Sequence, residues 1–415
     1  MSTDWKIIKF GDCAEKISSA VNPEKIDPGI PYVGLEHIVE NGLQLSGNSV
    51  AAEATSTKTK FSNGDILFGK LRPYFRKVVR PNFDGICSTD IWAVKAKSGI
   101  DQRFLFYRMA SQEFIDKSMG ASTGTRMPRA DWSYLSNWKI PVPPIDQQRK
   151  IASFLGAFDD KIAVNQRMNS TLEAMARALF QSWFVDFDPV RAKVDGNKPI
   201  GIEEATANLF PNAFQDSSLG HIPKGWEIRS LDKTADYLNG LALQKYPPGD
   251  GPTFPVIKIA QLRRGDVGGA DRCNTELPKQ FVVQDGDVLF SWSGSLEVEL
   301  WCGGTGALNQ HLFKVTSQEF PKWFYYLWTL HHLDEFRLIA ASKATTMGHI
   351  QRSHITDAKV VVPPRNLLDA MTHTMSPIID QLIANRIQSR TLAVLRDTLL
   401  PKLLSGELSV ENLQP

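Results

Sequence analysis

Cysteine is scarce in this chain. Its 415 residues hold four, Cys13, Cys87, Cys273 and Cys302, none in a C-x-x-C pair. That spacing excludes a ribbon-type zinc site and suits a reducing compartment. No uninterrupted apolar run is long enough to span a bilayer, and the first residues, MSTDWKIIKF, contain no apolar signal region. Together these absences predict a cytoplasmic protein. Net charge is also small, formally +2, so any nucleic-acid surface has to be local.

Catalytic signatures are missing as well. An adenine methyltransferase needs an Asn-Pro-Pro-aromatic or Asp-Pro-Pro-aromatic tetrad. Here Pro143-Pro144 follows Val142 and Pro363-Pro364 follows Val362, so both pairs read as helix stops. Gly303-Gly304-Thr305-Gly306 has no strand–turn–helix context. His331 and His332 are adjacent and point about 100° apart, unlike the i, i+4 pair of a zinc protease. Asp186, Asp188 and Asp195 could suggest a metal nuclease, but they lie in a polar connector and read as solvated charge.

One stretch, NGDILFGKL from Asn63 to Leu71, nearly spells a phosphate-binding loop. Leu71 stands where that loop needs a hydroxyl, and Ile66, Leu67 and Phe68 read as a buried strand. A second version, DGDVLFSW, lacks the lysine. What the two share is a turn, Asn63-Gly64 and Asp285-Gly286, leading into an apolar run, as at the tight turns that need positive φ.

That second version belongs to a duplication. Pro143-Pro144 falls on Pro363-Pro364, Asp160 on Asp380, Asn165 on Asn385 and Thr171-Leu172 on Thr391-Leu392, all at an offset of 220 residues. Upstream the offset slips to 221 at Trp5 and Trp226 and to 222 at Gly64 and Gly286. Each copy reads as a mixed α/β (α+β) globular part followed by a long helix. The expected boundaries are 1–142 and 218–362 for the globular parts, 143–184 and 363–408 for the helices, and 185–217 for a connector.

The helices carry a heptad seam. Ile151, Leu155, Phe158, Ile162, Asn165, Asn169, Leu172, Ala176, Leu179 and Trp183 step alternately by four and three. The second seam runs Met371, Met375, Ile378, Leu382, Asn385, Ser389, Leu392, Arg396, Leu399, Leu403, with Arg396 the departure. Asp146 and Asn366 are the candidate N-caps, and Pro401 is expected to kink or end the second helix early. The helices could be two amphipathic elements of one core. Duplication favours the other reading, an antiparallel coiled coil with pseudo-twofold symmetry, in which Asn165 and Asn169 lie near Ser389 and Asn385. A polar layer there would fix register at a cost in stability.

At this point the chain resembles the specificity subunits of type I restriction–modification systems. PPIDQQRKIASFLGAFDDKIAVNQRMNSTLEAMARALFQSWFVDFDPVRAK, Pro143 to Lys193, is similar to their central conserved region. LFPNAFQDSSLGHIPKGWEI, Leu209 to Ile228, is similar to their entry into a second recognition domain, and LLPKLLSGEL, Leu399 to Leu408, to their distal conserved region. The resemblance implies a non-catalytic subunit with two target recognition domains, each reading half of a split double-stranded DNA site. The helices would set the spacer and dock two modification subunits. S-adenosylmethionine and ATP would sit on partners, the latter on translocase–nuclease subunits where present. The rival class is a stand-alone nuclease or ATPase with a dimerising coil.

The residues themselves offer DNA contacts. KLRPYFRKVVR holds Lys70, Arg72, Arg76, Lys77 and Arg80 without an acid, the chemistry that neutralises phosphates. Ser122, Thr123, Thr125, Arg126 and Arg129 form a small-hydroxyl and arginine segment, and arginine can donate twice to guanine. Its counterpart holds Lys343, Thr345, Thr346, His349 and Arg352. Weaker candidates are Tyr32, Glu36 and His37, with Lys258, Gln261, Arg263 and Arg264 in the second copy. Solvated strand faces and polar loops are the bland readings of the same residues.

Overall fold

The computed structural model describes residues 4–120, 127–342 and 348–412. Two compact units emerge, one of Met1–Lys161 with Leu392–Pro415, the other of Ile162–Thr391. Each contains a stretch of both long helices, α1 (Ile145–Phe180) and α2 (Arg365–Ser405).

Unit 1 has a buried four-stranded antiparallel sheet, ordered Ala14–Lys16, Ile91–Ala96, Ile66–Gly69, Val78–Val79. Its second sheet is ordered Ala20–Val21, Lys58–Phe61, Gly85–Cys87, Pro31–Val33, Ser49–Val50. Within it Pro31–Val33 and Gly85–Cys87 are parallel. Lys6–Lys9 pairs with Lys139–Val142, the strand that leads into α1.

Unit 2 repeats this plan. Asp236–Asn239, Leu312–Thr316, Val288–Ser291 and Val298–Leu300 form the antiparallel sheet. Arg272–Asn274, Thr253–Ile257, Gly306–Leu308 and Val282–Val283 form the second, with the same parallel pair. Glu227–Ser230 joins Lys359–Val362, the strand before α2. Unit 2 adds the Phe214–Ser217/Gly220–Pro223 hairpin and a π turn, Gln181–Val185, at the end of α1. That turn delivers Trp183, Phe184 and Phe187 into an aromatic core with Phe210, Trp226 and Trp323. Asp186, Asp188 and Asp195 are exposed, as their polar surroundings suggest.

The turn-and-strand reading of NGDILF holds. Gly64 and Gly286 have φ of +82° and +88°, which an L side chain adopts only at a cost. The turn is not a hairpin, however. The strands on its two sides belong to different sheets, so it carries the chain from one sheet to the other.

Within each unit α1 and α2 run antiparallel. In unit 2 Asn385 Nδ2 donates to Asn169 Oδ1 at 2.9 Å. Asn165 Nδ2 donates to Gln388 Oε1 at 2.9 Å and to Ser389 Oγ at 3.2 Å. The expected polar layer is therefore present, and Asn165, Asn169 and Asn385 are buried in it. Along α1 Ile151, Leu155, Ile162 and Ala176 are buried, and Phe158, Leu172 and Leu179 partly so. Along α2 Met371, Met375, Ile378, Leu382 and Leu403 are buried, with Leu392 and Leu399 intermediate.

Arg396 breaks the apolar seam for an electrostatic reason. In unit 1 it is 2 % exposed and donates to Asp159 Oδ1 at 2.5 Å and to Asp397 Oδ1 at 3.1 Å. Tyr107 Oη donates to the other oxygen of Asp159. Two carboxylates, one of them also held by Tyr107, answer the desolvation that a lone buried guanidinium would suffer.

Two expectations at the helix ends are corrected. α1 and α2 begin at Ile145 and Arg365, so Asp146 and Asn366 lie inside the first turn. The carbonyls of Pro144 and Pro364 accept the first amide bonds instead. α2 also continues through Pro401 to Ser405. A proline inside a helix costs about 3 kcal/mol. Leu400, Leu403 and Leu404 are each at most 2 % exposed around it, and each such burial contributes about 1.5–3 kcal/mol. The core term wins.

Arg396→Ala leaves Asp159 with Tyr107 and Asp397 with Arg76, and should lower the unfolding free energy by about 1–3 kcal/mol after discounting for those partners and for partial exposure. Urea unfolding measures it, and an unchanged midpoint would count against the triad. Burial works against the Asp397 carboxylate, but Arg76 and Arg396 hold its pKa below the usual 3.8. The hydrogen bond from Arg390 lowers that of Asp285. A depressed carboxylate contributes stability that is present above its unfolded pKa and lost as pH falls through the folded value. Asp397→Asn and Asp285→Asn should therefore flatten the loss of stability below about pH 4, read from unfolding midpoints across that range.

Candidate DNA interface

In unit 1 the strand Ile66–Gly69 is wholly buried, then the chain leaves the sheet as Lys70-Leu71-Arg72. Arg72 has φ +51° and Arg76 φ +47°, and the two bracket the short 3-10 turn Pro73–Phe75. Left-handed backbone at a non-glycine residue costs about 1–2 kcal/mol. It persists here because tertiary bonds hold both ends.

One end is a clip. The Arg72 amide donates to Pro128 O at 2.8 Å, the Ala130 amide donates to Lys70 O at 2.9 Å, and Leu71 bridges Arg129. Two basic stretches far apart in sequence are thus brought side by side. Arg72, Tyr74, Met127 and Arg129 are exposed there and Lys70 is half-buried. Arg129 reaches Asp90 Oδ1 at 3.4 Å.

The other end is a lock. Arg76 donates from Nε to Ala110 O at 2.6 Å and forks onto both oxygens of Asp397 at 3.0 and 3.3 Å. It is 9 % exposed. Arg76 was expected at DNA; its guanidinium is instead committed to α2, because a buried cation needs its carboxylate. Lys77 is also drawn inward, donating to Leu35 O at 2.7 Å with Glu40 at 3.8 Å.

Unit 2 builds the same clip at the same register. The Gly294 amide donates to Gly348 O at 2.8 Å, the Ile350 amide to Trp292 O at 3.0 Å, and Ser293 bridges His349. Gly294, φ +67°, stands where unit 1 has Arg72. His349 is exposed at this clip. Arg352 is exposed by area, but its guanidinium donates to Tyr237 O at 3.1 Å and lies 5.6 Å over the Phe313 ring.

The lock recurs with its charges reversed. Arg390 of α2 forks onto Asp285 at 2.7 Å to each oxygen. Arg386 joins Glu299 at 3.2 Å and Glu173 of α1 at 2.8 Å.

The remaining candidates divide. Gln261 is buried, and its Oε1 accepts from the Lys258 amide at 3.3 Å. His37 does the same for the Gly34 amide at 2.9 Å. Both side chains are helix caps, so Gln261 is corrected from base reader to cap. Lys258 pairs with Asp271. Arg263 is exposed and lines an open cleft of about 330 Å³ with Arg264, Arg386 and Arg390. Ser122, Thr123, Thr125, Arg126, Lys343, Thr345 and Thr346 lie outside the described residues. Asp90, Trp292 and His311, which sequence reasoning missed, border the clips. No motif marks them in the sequence; the offsets of 221 and 222 pair Asp90 with His311 and Lys70 with Trp292, but single out neither pair.

Among the described residues no group of three or more His, Cys, Asp or Glu side chains could hold a metal ion. Nor is any described helix long and apolar enough to cross a membrane.

A duplicated α/β head on a shared helix pair, with a basic or aromatic loop clipped at its surface, defines a recognition protein. The type I restriction modification DNA specificity domain matches residues 2–174 and again 223–393, and the chain belongs to that family. It is a specificity subunit, the non-catalytic DNA-recognition component of a type I restriction–modification system. Nothing supports the nuclease or ATPase alternative. Among curated relatives, the type I restriction enzyme MjaIX specificity subunit of Methanocaldococcus jannaschii is 27% identical, covering 99% of this chain and 95% of that one. The HindI specificity subunit of Haemophilus influenzae is 22% identical over 98% of this chain and 100% of its own. A solved S subunit from M. genitalium shares the fold with a TM-score of 0.53 at 15% identity, over 97% of each chain.

Arg72→Gly installs the residue found at this place in unit 2. It should leave stability unchanged or higher, because the strain is relieved, while weakening DNA binding and reducing its salt dependence by about one phosphate contact. Arg76→Ala should do the reverse first, lowering stability. Filter binding across a salt series, beside thermal unfolding, separates the two.

Proposed function

We propose that each unit reads one half of a bipartite double-stranded DNA site and that the paired helices set the unread spacer between the halves. The helices also dock two modification subunits, which carry S-adenosylmethionine and methylate adenine. Translocase–nuclease subunits, where present, use ATP to cut unmodified DNA. The chain itself holds neither cofactor, as expected of this family, and works in the cytoplasm. Lys70, Arg72 and Arg129 in one head and His349 in the other are the DNA-facing residues this reading favours. The seven candidates outside the described residues adjoin the same clips in sequence.

One observation carries the reading: two heads of one topology present the same clipped loop with different side chains. A scaffold that bound only protein would have no use for that difference. Recognition of two unlike half-sites requires it. The helices suit a ruler because their seam is dry for most of its length and its register is pinned by the asparagine layer.

Adding one heptad to each helix, in register, lengthens the pair by about 10 Å, close to three base-pair steps at about 3.4 Å each. Mapping methylated adenines genome-wide should then show a spacer about three base pairs longer. An unchanged spacer would refute the ruler. Replacing residues 1–142 with the matching segment of another family member should change one half-site and leave the other intact.

A further inference from the structure

The two clips place three side-chain positions together in each head, and the register between copies makes them equivalent. In unit 1 they are Lys70, Asp90 and Arg129; in unit 2, Trp292, His311 and His349. The equivalence is set by backbone bonds. The Lys70 amide donates to Asp90 O and the Trp292 amide to His311 O, at 2.9 and 3.4 Å. The Ala130 amide donates to Lys70 O and the Ile350 amide to Trp292 O, at 2.9 and 3.0 Å. Arg129 and His349 occupy the same place in the two bridges. Each position is half-buried or exposed.

The chemistry differs between heads. In unit 1 two cationic donors flank a carboxylate, and Arg129 leans on Asp90 at 3.4 Å. In unit 2 three flat rings meet, with Trp292 5.8 Å from His311 and 6.5 Å from His349 between centroids. The Trp292 N–H is already donated, to Asn239 Oδ1 at 2.9 Å and Gln310 O at 3.2 Å, so this half-buried indole acts through its ring, which Phe313 also neighbours at 6.1 Å. His311 Nδ1 lies 3.0 Å from Ser293 Oγ, which orients the imidazole and leaves Nε2 without a hydrogen-bond partner among the described residues.

Resting on the half-site reading above, we propose that these two triads are the specificity-determining positions, and that they read different base pairs. Lys70 and Arg129 donate to guanine O6 and N7 while Asp90 accepts from cytosine N4, so the half-site of unit 1 carries a G·C pair at the triad. His311 offers a ring nitrogen to the edge of adenine, and the Trp292 ring meets the thymine methyl. The half-site of unit 2 therefore carries an A·T pair at the equivalent place.

The test is selection of bound DNA from a randomised duplex library by the full-length chain with its modification subunits, followed by sequencing. The wild-type chain, Asp90→Asn, Asp90→Ala, His311→Asn and His311→Ala are compared. The Asp90 variants should relax one G·C position by roughly ten- to a hundredfold and leave the other half-site untouched. The His311 variants should relax one A·T position in the opposite half only. Thermal unfolding close to wild type for at least one variant at each position guards against misfolding. Equal weakening at every position, or unchanged letters in folded variants, would overturn the triad assignment. A wild-type chain that selects no split sequence would instead overturn the half-site reading itself.

Discussion

Neither long helix can stay folded with its seam in water. Each carries a row of apolar side chains repeating every three and four residues, and in both units that row is covered by the other helix and by the sheet of the head. The contact between α1 and α2 is therefore the constraint on which the heads depend. The strand that opens each head pairs with the strand that enters its helix, so the two are sewn at the root. A polar layer at Asn165, Asn169 and Asn385 gives up some hydrophobic gain, and slippage by one turn would strand those amides against apolar neighbours.

The heads show how one fold serves two purposes at once. The strands that the two copies share keep their pairing register, since a buried strand tolerates no shift without exposing its core face. The loops at the clips differ between the copies, because their backbone bonds are satisfied by the clip with either set of side chains. Strain is tolerated at Arg72 and avoided at Gly294, which shows that the clip, and not the residue, dictates the conformation.

Much of this was legible in the sequence. The duplication, the seam and the asparagine layer all rest on periodicity or on constant offsets, which need no coordinates. Local rules failed where distant burial outweighed them. Pro401 sits inside α2 because Leu400, Leu403 and Leu404 are buried around it. Arg76 looked like its exposed neighbour Arg72, and what distinguishes them, Ala110 O and Asp397, lies 34 and 321 residues away. Gln261 resembled a base reader until its cap was seen. Asp90, Trp292 and His311 carried no motif of their own, since the clips that gather them join segments distant in the chain.

The reversed locks carry an evolutionary consequence. A cation on the head of unit 1 meets an anion on α2, and anions on the head of unit 2 meet cations. Such keyed seats discourage a gene conversion that copies one head over the other, because the transplanted key would face like charge in a partly dry groove. Exchange with a relative's head avoids this where that head carries the same key, so the lock residues, and not only the surface that touches DNA, decide which heads are interchangeable.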